Sequence, residues 1–153
     1  MKKVLLIIFF CGTLLTIGHS AYAQNSGFGV GAIINSPTGI SAKAWINEDF
    51  AIDGAFSFQV GTGISQTYLH VNALQHHQTN NQQLKFYYGL GSRFLWNDLT
   101  NDVTAGIRVP GGISYAINNT KLESFFEIAP TIDFTPITRF GFEGAVGLRI
   151  YLN

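Results

Sequence analysis

FGFEGAVGLRIYL, residues 140–152, changes chemistry at almost every step. Phe140, Phe142, Val146, Leu148, Ile150 and Leu152 share one side of an extended chain, and Gly141, Glu143, Ala145, Gly147, Arg149 and Tyr151 share the other. A period of two held this long excludes an amphipathic helix and predicts a strand with one apolar face and one face of small and charged residues. Working backwards from this stretch, the same two-faced pattern recurs. Val103, Ala105, Ile107, Val109, Ile113, Tyr115 and Ile117 oppose Thr104, Arg108, Ser114 and Ala116. Phe50, Ile52, Phe56 and Phe58 oppose Ala51, Asp53, Ala55 and Ser57; Ile40, Ala42, Ala44 and Ile46 oppose Ser41, Lys43 and Trp45.

Combining alternation with turn residues predicts strands near 27–34, 40–47, 50–58, 67–74, 84–96, 103–117, 121–132 and 139–152. The connections NSPTG, NED, QVGTGIS, QHHQTNNQQ, NDLTN, NNT and DFTPIT are dense in turn-forming residues. No amphipathic helix, internal repeat or linker interrupts them. The expectation is an all-β, eight-stranded antiparallel up-and-down barrel. Two such barrels share this alternation: a soluble one with the apolar face inward, and a transmembrane one with that face on lipid. Side-chain volume separates them, because an eight-stranded barrel has an interior just wide enough for side chains to fill. The apolar face here is too rich in Phe, Ile and Leu to point inward together. The opposite face is mostly Gly, Ala and Ser, which leaves room for a few long charged side chains. A transmembrane barrel with a packed, charged lumen is therefore expected, bound to outer-membrane lipid. A soluble barrel holding an apolar ligand is the reading this argument disfavours.

With the chain entering from the periplasm, Phe56, Phe58, Trp96, Phe134, Phe140 and Phe142 gather at the outer rim, and Phe28, Phe50, Tyr88 and Tyr115 at the other, as two aromatic girdles. The connection QHHQTNNQQ then falls on the periplasmic side, against the usual asymmetry of short periplasmic turns. His76 and His77 lie in it and read as solvated loop residues; adjacent residues of an extended chain point opposite ways and make a poor shared metal site.

The lumen is expected to hold Lys43, Lys85, Arg93, Arg108 and Arg149 against Asp53, Glu123, Glu127 and Glu143, with His70 and Asn72 as polar lumen residues. Buried charges left unpaired are costly, so these should pair into a plug that closes the barrel. A narrow path for ions or small polar solutes is the alternative. Glu123 and Glu127, in LESFFEIAP, are no acid/base pair: four apart on a strand they stand about 14 Å apart, beyond the roughly 5–10 Å such pairs use. His70 has no partner serine nearby in sequence. No catalytic residue, metal site or cofactor is expected, and the chain is read as a non-enzyme.

The first residues differ from the rest. Lys2 and Lys3, the apolar run from Val4, and Ala21-Tyr22-Ala23 have the form of a secretory signal peptide over 1–23, leaving 24–153 as the barrel. Cys11 is the single cysteine and lies in that leader, so no disulfide or thiolate metal site is expected in the exported chain. The nine basic residues include Lys2 and Lys3; without them seven face nine acidic ones, and no basic tract points to nucleic acid.

PTGISAKAW, YLHVNALQHH, FYYGLGSRF, GIRVPGGISYAI, LESFFEIAPTIDFTP and GAVGLRIY, in that order and spacing, resemble a family of small uncharacterised bacterial outer-membrane-type barrels. Spirochaete proteins are among its members, and its architecture is similar to the OmpA membrane domain. The resemblance implies an eight-stranded monomeric barrel in the bacterial outer membrane, no catalytic residues, and a structural or surface-interaction role. A protein partner at the outer surface is the interaction it suggests beyond lipid. Such chains commonly end in an aromatic residue, whereas this one ends Tyr151-Leu152-Asn153.

Overall fold

The computed structural model describes residues 27–62 and 64–152; the expected leader lies outside them. The strands are β1 (Phe28–Asn35), β2 (Gly39–Trp45), β3 (Phe50–Gly61), β4 (Ile64–Gln78), β5 (Leu84–Asn97), β6 (Asp102–Arg108), β7 (Gly111–Ala116), β8 (Leu122–Thr135) and β9 (Arg139–Leu152). All pairings are antiparallel, and β9 pairs back onto β1 from Phe28↔Leu152 to Asn35↔Ala145, closing the sheet into a ring. Closure leaves no full-length edge strand.

Nine strands occupy eight places. The strand expected over 103–117 is broken at Val109-Pro110, and its halves β6 and β7 both lie between β5 and β8. The break has a plain cause. Gly89 N–H donates to the Pro110 carbonyl at 2.9 Å, but Pro110 has no N–H to return. On the other side Val109 N–H donates to the Pro130 carbonyl at 3.0 Å, and Pro130 cannot reciprocate either. Two adjacent rungs each carry one hydrogen bond instead of two. The side-chain phase survives: Arg108, Pro110 and Ser114 remain inward and Val109, Ile113 and Tyr115 outward.

Several strands run longer than expected. β4 continues to Gln78, so the QHHQTNNQQ connection contracts to residues 79–83. Its polar residues hide a strand end: Leu74 and His76 point inward, while the His77 ring stacks on Phe86 and Tyr88 of β5 at 4.9 and 5.4 Å. Cross-strand aromatic pairs of this kind stabilise a ladder. The anomalous long connection at that end therefore disappears. β3 and β8 extend likewise, to Gly61 and Thr135.

The faces are sharply sorted. Outside stands a belt of exposed apolar side chains, among them Phe56, Leu90, Phe126, Phe140, Phe142 and Leu148. Inside, a contiguous apolar layer of Ile33, Ala55, Phe125 and Ala145 crosses an interior that is largely polar and charged. Gly147 on β9 makes room for it, since a Cβ there would overlap the Phe125 ring.

The two ends differ. The upper end, defined by the β1–β2 turn at residues 36–38, has an uneven rim. β1 and β2 have 8 and 7 residues, against 12 in β3 and 14 in β9. Pairing of β2 with β3 stops at Ile40↔Phe56, and that of β1 with β9 at Asn35↔Ala145.

Candidate functional site

The inward positions of the strands converge on one polar network. On β9, Arg149 is fixed by Asp53 of β3, with Nη2 to Oδ2 at 2.7 Å, and by Glu123 of β8, with Nη1 to Oε1 at 3.4 Å. Its Nε–H donates to Ser41 Oγ at 2.9 Å, and its guanidinium lies 3.9 Å from the centre of the Phe125 ring. Lys43 of β2 reaches Glu123 at 3.2 Å. Higher in the lumen, Arg108 of β6 binds Glu127 at 2.8 Å and Glu143 at 3.2 Å. Arg93 of β5 binds the same Glu143 at 3.1 Å and Asp133 at 3.4 Å. Asn72 joins the two levels, donating through Nδ2 to Asp53 Oδ1 at 2.7 Å and accepting from Arg108 Nη1 at 3.2 Å. One connected set of bonds thus runs from Lys43 to Asp133.

Tyrosines add further hydrogen bonds to the carboxylates. Tyr68 donates to Glu143 at 2.8 Å, Tyr87 to Glu127 at 3.1 Å, and Tyr151 to Glu123 at 3.2 Å. Arg108 and Arg149 are the largest of the fully buried side chains, 1% and 2% exposed. Charged groups so deeply buried are tolerated only with this density of partners.

The expected lumen residues have distinct places. Lys43, Asp53, Arg93, Arg108, Glu123, Glu127, Glu143 and Arg149 enter the ion-pair network directly. Lys85 is inward and buried, its ammonium 4.9 Å from the Trp45 ring centre. His70 is buried with Nδ1 3.2 Å from the Tyr68 hydroxyl, and Asn72 is the bridge. Glu123 and Glu127 share no cation: the first meets Lys43 and Arg149, the second Arg108.

Two residues were placed wrongly by sequence reasoning. Asp133, assigned to the DFTPIT connection, is an inward strand residue held by Arg93. With it, Lys43, Lys85, Arg93, Arg108 and Arg149 face five carboxylates rather than four. The signal was present, since Thr131 and Asp133 alternate with Ile132 and Phe134. His76, taken as a solvated loop residue, is 1% exposed and packs between Trp45 at 4.4 Å and Tyr87 at 5.1 Å. Neither of its ring nitrogens has a hydrogen-bond partner among the described residues.

A cavity opens at each end of the lumen. That at the upper end, of about 150 Å³, is lined by Arg93, Glu143, Tyr68, Gln59 and Gln66 and by Ser36 and Pro37 of the β1–β2 turn. One of about 20 Å³, room for a single water, lies at the lower end beside Trp45, Lys85, Ser114 and Glu123. Their linings share no residue. Between them stand the ion pairs and the Phe125 layer.

With this geometry in hand, a solved structure offers a comparison. The crystal structure of the N-terminal β-barrel domain of Pseudomonas aeruginosa OprF aligns with a TM-score of 0.62, covering 86% of this chain and 100% of that one. The chain has an OmpA-like barrel fold. At 11% identity the OprF likeness extends to the fold alone, and the lumen chemistry is read from this chain's own residues. No protein-family model and no curated protein matches the chain.

Proposed function

We propose that the chain is an integral outer-membrane barrel with a structural or surface-interaction role and a lumen closed by ion pairs. The carrying observation is the inversion of faces: arginines and glutamates fill the interior while large apolar side chains cover the outside. In water such a belt far exceeds what a soluble monomer exposes. In lipid it is matched by its surroundings, and below its uneven upper rim the closed ring satisfies nearly all of its backbone internally. The aromatic-rich rims, the leader-like first residues and the OprF-like fold support the same placement in a bacterial outer membrane after export. Within this reading the barrel is monomeric, needs no cofactor, and has no catalytic role, since its lumen carboxylates are engaged by cations. Membrane fractionation with gel mobility before and after boiling tests it. The folded barrel should appear with the membranes and shift on heating; a band confined to the soluble fraction would end the reading.

A narrow channel is the second reading, favoured by the polar cavity at each end. Planar-bilayer recording separates the two. A closed lumen gives a silent bilayer, whereas discrete, reproducible conductance steps would replace the plug with a pore.

A further inference from the structure

The uneven upper rim leaves two stretches of strand without a neighbour. β3 continues past its last pairing with β2 as Phe58–Gly61, and β9 stands above its last contact with the β1–β2 turn as Arg139–Glu143. That last contact is Ser36 N–H to the Gly144 carbonyl at 3.1 Å. Residues of an antiparallel strand direct their N–H and C=O alternately to the two sides. Gly144 faces β1, so Phe142 and Phe140 face the same way, above the end of β1. Ile46 N–H donates to the Phe50 carbonyl across β2–β3 at 2.9 Å, so the even-numbered residues of β3 face β2. Phe58 and Val60 therefore aim their backbone groups into the same gap from the other side.

These four residues also carry the most exposed apolar side chains on their strands: Phe58 59%, Val60 70%, Phe140 78% and Phe142 68%. The combination is chemically inconsistent on its own. Apolar side chains favour lipid, but unpaired backbone groups cannot be left there. Neither stretch holds Pro or Lys, and the charges present, Arg139 and the inward Glu143, stand at odd-numbered positions of β9, whose backbone groups face β8 rather than the gap. The two strands are separated by the places of β1 and β2, three inter-strand spacings or about 14 Å. That is the width of two more strands. The gap has the short β1–β2 turn as its floor, and the cavity of about 150 Å³ lies on its inner side.

We propose that this notch accepts a β-hairpin presented by a partner protein. The hairpin would continue the wall above β1 and β2, one strand antiparallel to β9 and the other to β3. Its alternate side chains would be apolar outward, beside Phe58, Val60, Phe140 and Phe142. Inward they would be polar, toward Gln59, Gln66, Arg93 and Glu143 in the cavity. Other occupants fit less well. Lipid chains offer no donor or acceptor to the edges. A second copy pairing β9 with β9 antiparallel needs a two-fold axis perpendicular to the wall, which would turn one barrel upside down in the membrane. Both ends of the described chain, Gly27 and Leu152, lie at the opposite end of the barrel. The mismatch with lipid, the exclusion of a second copy and the sidedness of the notch rest on the membrane reading above; the unpaired edges and the width of the gap do not.

Amide hydrogen exchange of the refolded protein in micelles tests the idea at Phe58, Val60, Phe140 and Phe142. In the free protein these amides should exchange at least tenfold faster than those of paired neighbours in β4 and β8. A synthetic hairpin with alternating Val and Thr and a D-Pro-Gly turn is the probe, and it should slow all four at least tenfold. A chain whose own β1–β2 hairpin is lengthened by four residues per strand between Asn35 and Gly39 should show the slowing without the probe. If that variant loses its heat-shifted gel mobility, the probe arm alone decides. Four amides already slow in free protein, or unmoved at saturating probe, would overturn the proposal. So would protection by phospholipid vesicles alone, which assigns the notch to lipid, or protection that grows with protein concentration, which assigns it to a second copy. A protein found only in the soluble fraction would end the membrane reading and leave this test standing.

Discussion

The Asn72 side-chain amide donates to Asp53 across 2.7 Å, and that bond is what joins the lower ion pairs to the upper ones. Through its carbonyl oxygen Asn72 also accepts from Arg108 at 3.2 Å. Asn72→Leu keeps the branched outline of the side chain and removes both bonds, leaving a buried carboxylate and a buried guanidinium each one partner short. The expected loss is about 1–3 kcal/mol for each group left unsatisfied. The denaturant midpoint of the refolded barrel measures it, and a midpoint unchanged from wild type would show that the two levels are independent.

Arg149 holds two carboxylates from different strands. Arg149→Met should cost about 3–5 kcal/mol, because the Asp53 charge stays buried after its cation is gone. Adding Asp53→Leu should recover part of that loss, since removing both members of a buried pair is far cheaper than removing one. A double variant less stable than the single one would refute the pairing.

His76 is the opposite case, a buried polar ring whose nitrogens bond to nothing among the described residues. His76→Phe retains the stacking against Trp45 and Tyr87 and removes the unmet donor and acceptor. The barrel should be unchanged or more stable by about 1 kcal/mol. Unfolding at clearly lower denaturant in the variant would mean that the ring has a partner.

Gly147 faces the Phe125 ring with no room for a side chain. Gly147→Ala should cost about 1–3 kcal/mol by overpacking. Combining it with Phe125→Leu, which shortens the obstructing ring, should return only the ring's part of that loss, because the Ala32 carbonyl oxygen would still stand 2.6 Å from the new Cβ. Equal midpoints for Gly147→Ala and wild type would show that the Phe125 layer yields freely.

What could be read in the sequence was whatever alternation controls. Phe140 to Leu152 announces its faces without reference to any other strand, and so do the charges at Lys43, Asp53 and Arg149. The misreadings sit where alternation and turn chemistry overlap. Gln75 to Gln78 are polar on both faces, so a strand end had the composition of a loop and His76 went with it. Asp133 was lost for the same reason, three residues ahead of Pro136. The break at Pro110 escaped notice because the phase on either side is continuous. Which cation meets which carboxylate was not legible at all. That depends on the stagger of strands around the ring, and Lys43 and Glu123 are 80 residues apart.

The distribution of these charges along the chain bears on how such a barrel could enter a bilayer. Taken hairpin by hairpin, the lumen residues do not balance. β1–β2 brings Lys43 alone and β3–β4 Asp53 alone, while β5 to β7 carries only cations, Lys85, Arg93 and Arg108. The final hairpin brings Glu123, Glu127, Asp133 and Glu143 with the single cation Arg149. Among the described ion pairs only Arg149–Glu123 lies within one hairpin; the others bridge different ones. In the proposed membrane setting, a hairpin inserting by itself would expose uncompensated charge to hydrocarbon, and all but one of the ion pairs form only when different hairpins meet. Insertion and ring closure should therefore be a single concerted event, with the lumen assembled out of contact with lipid.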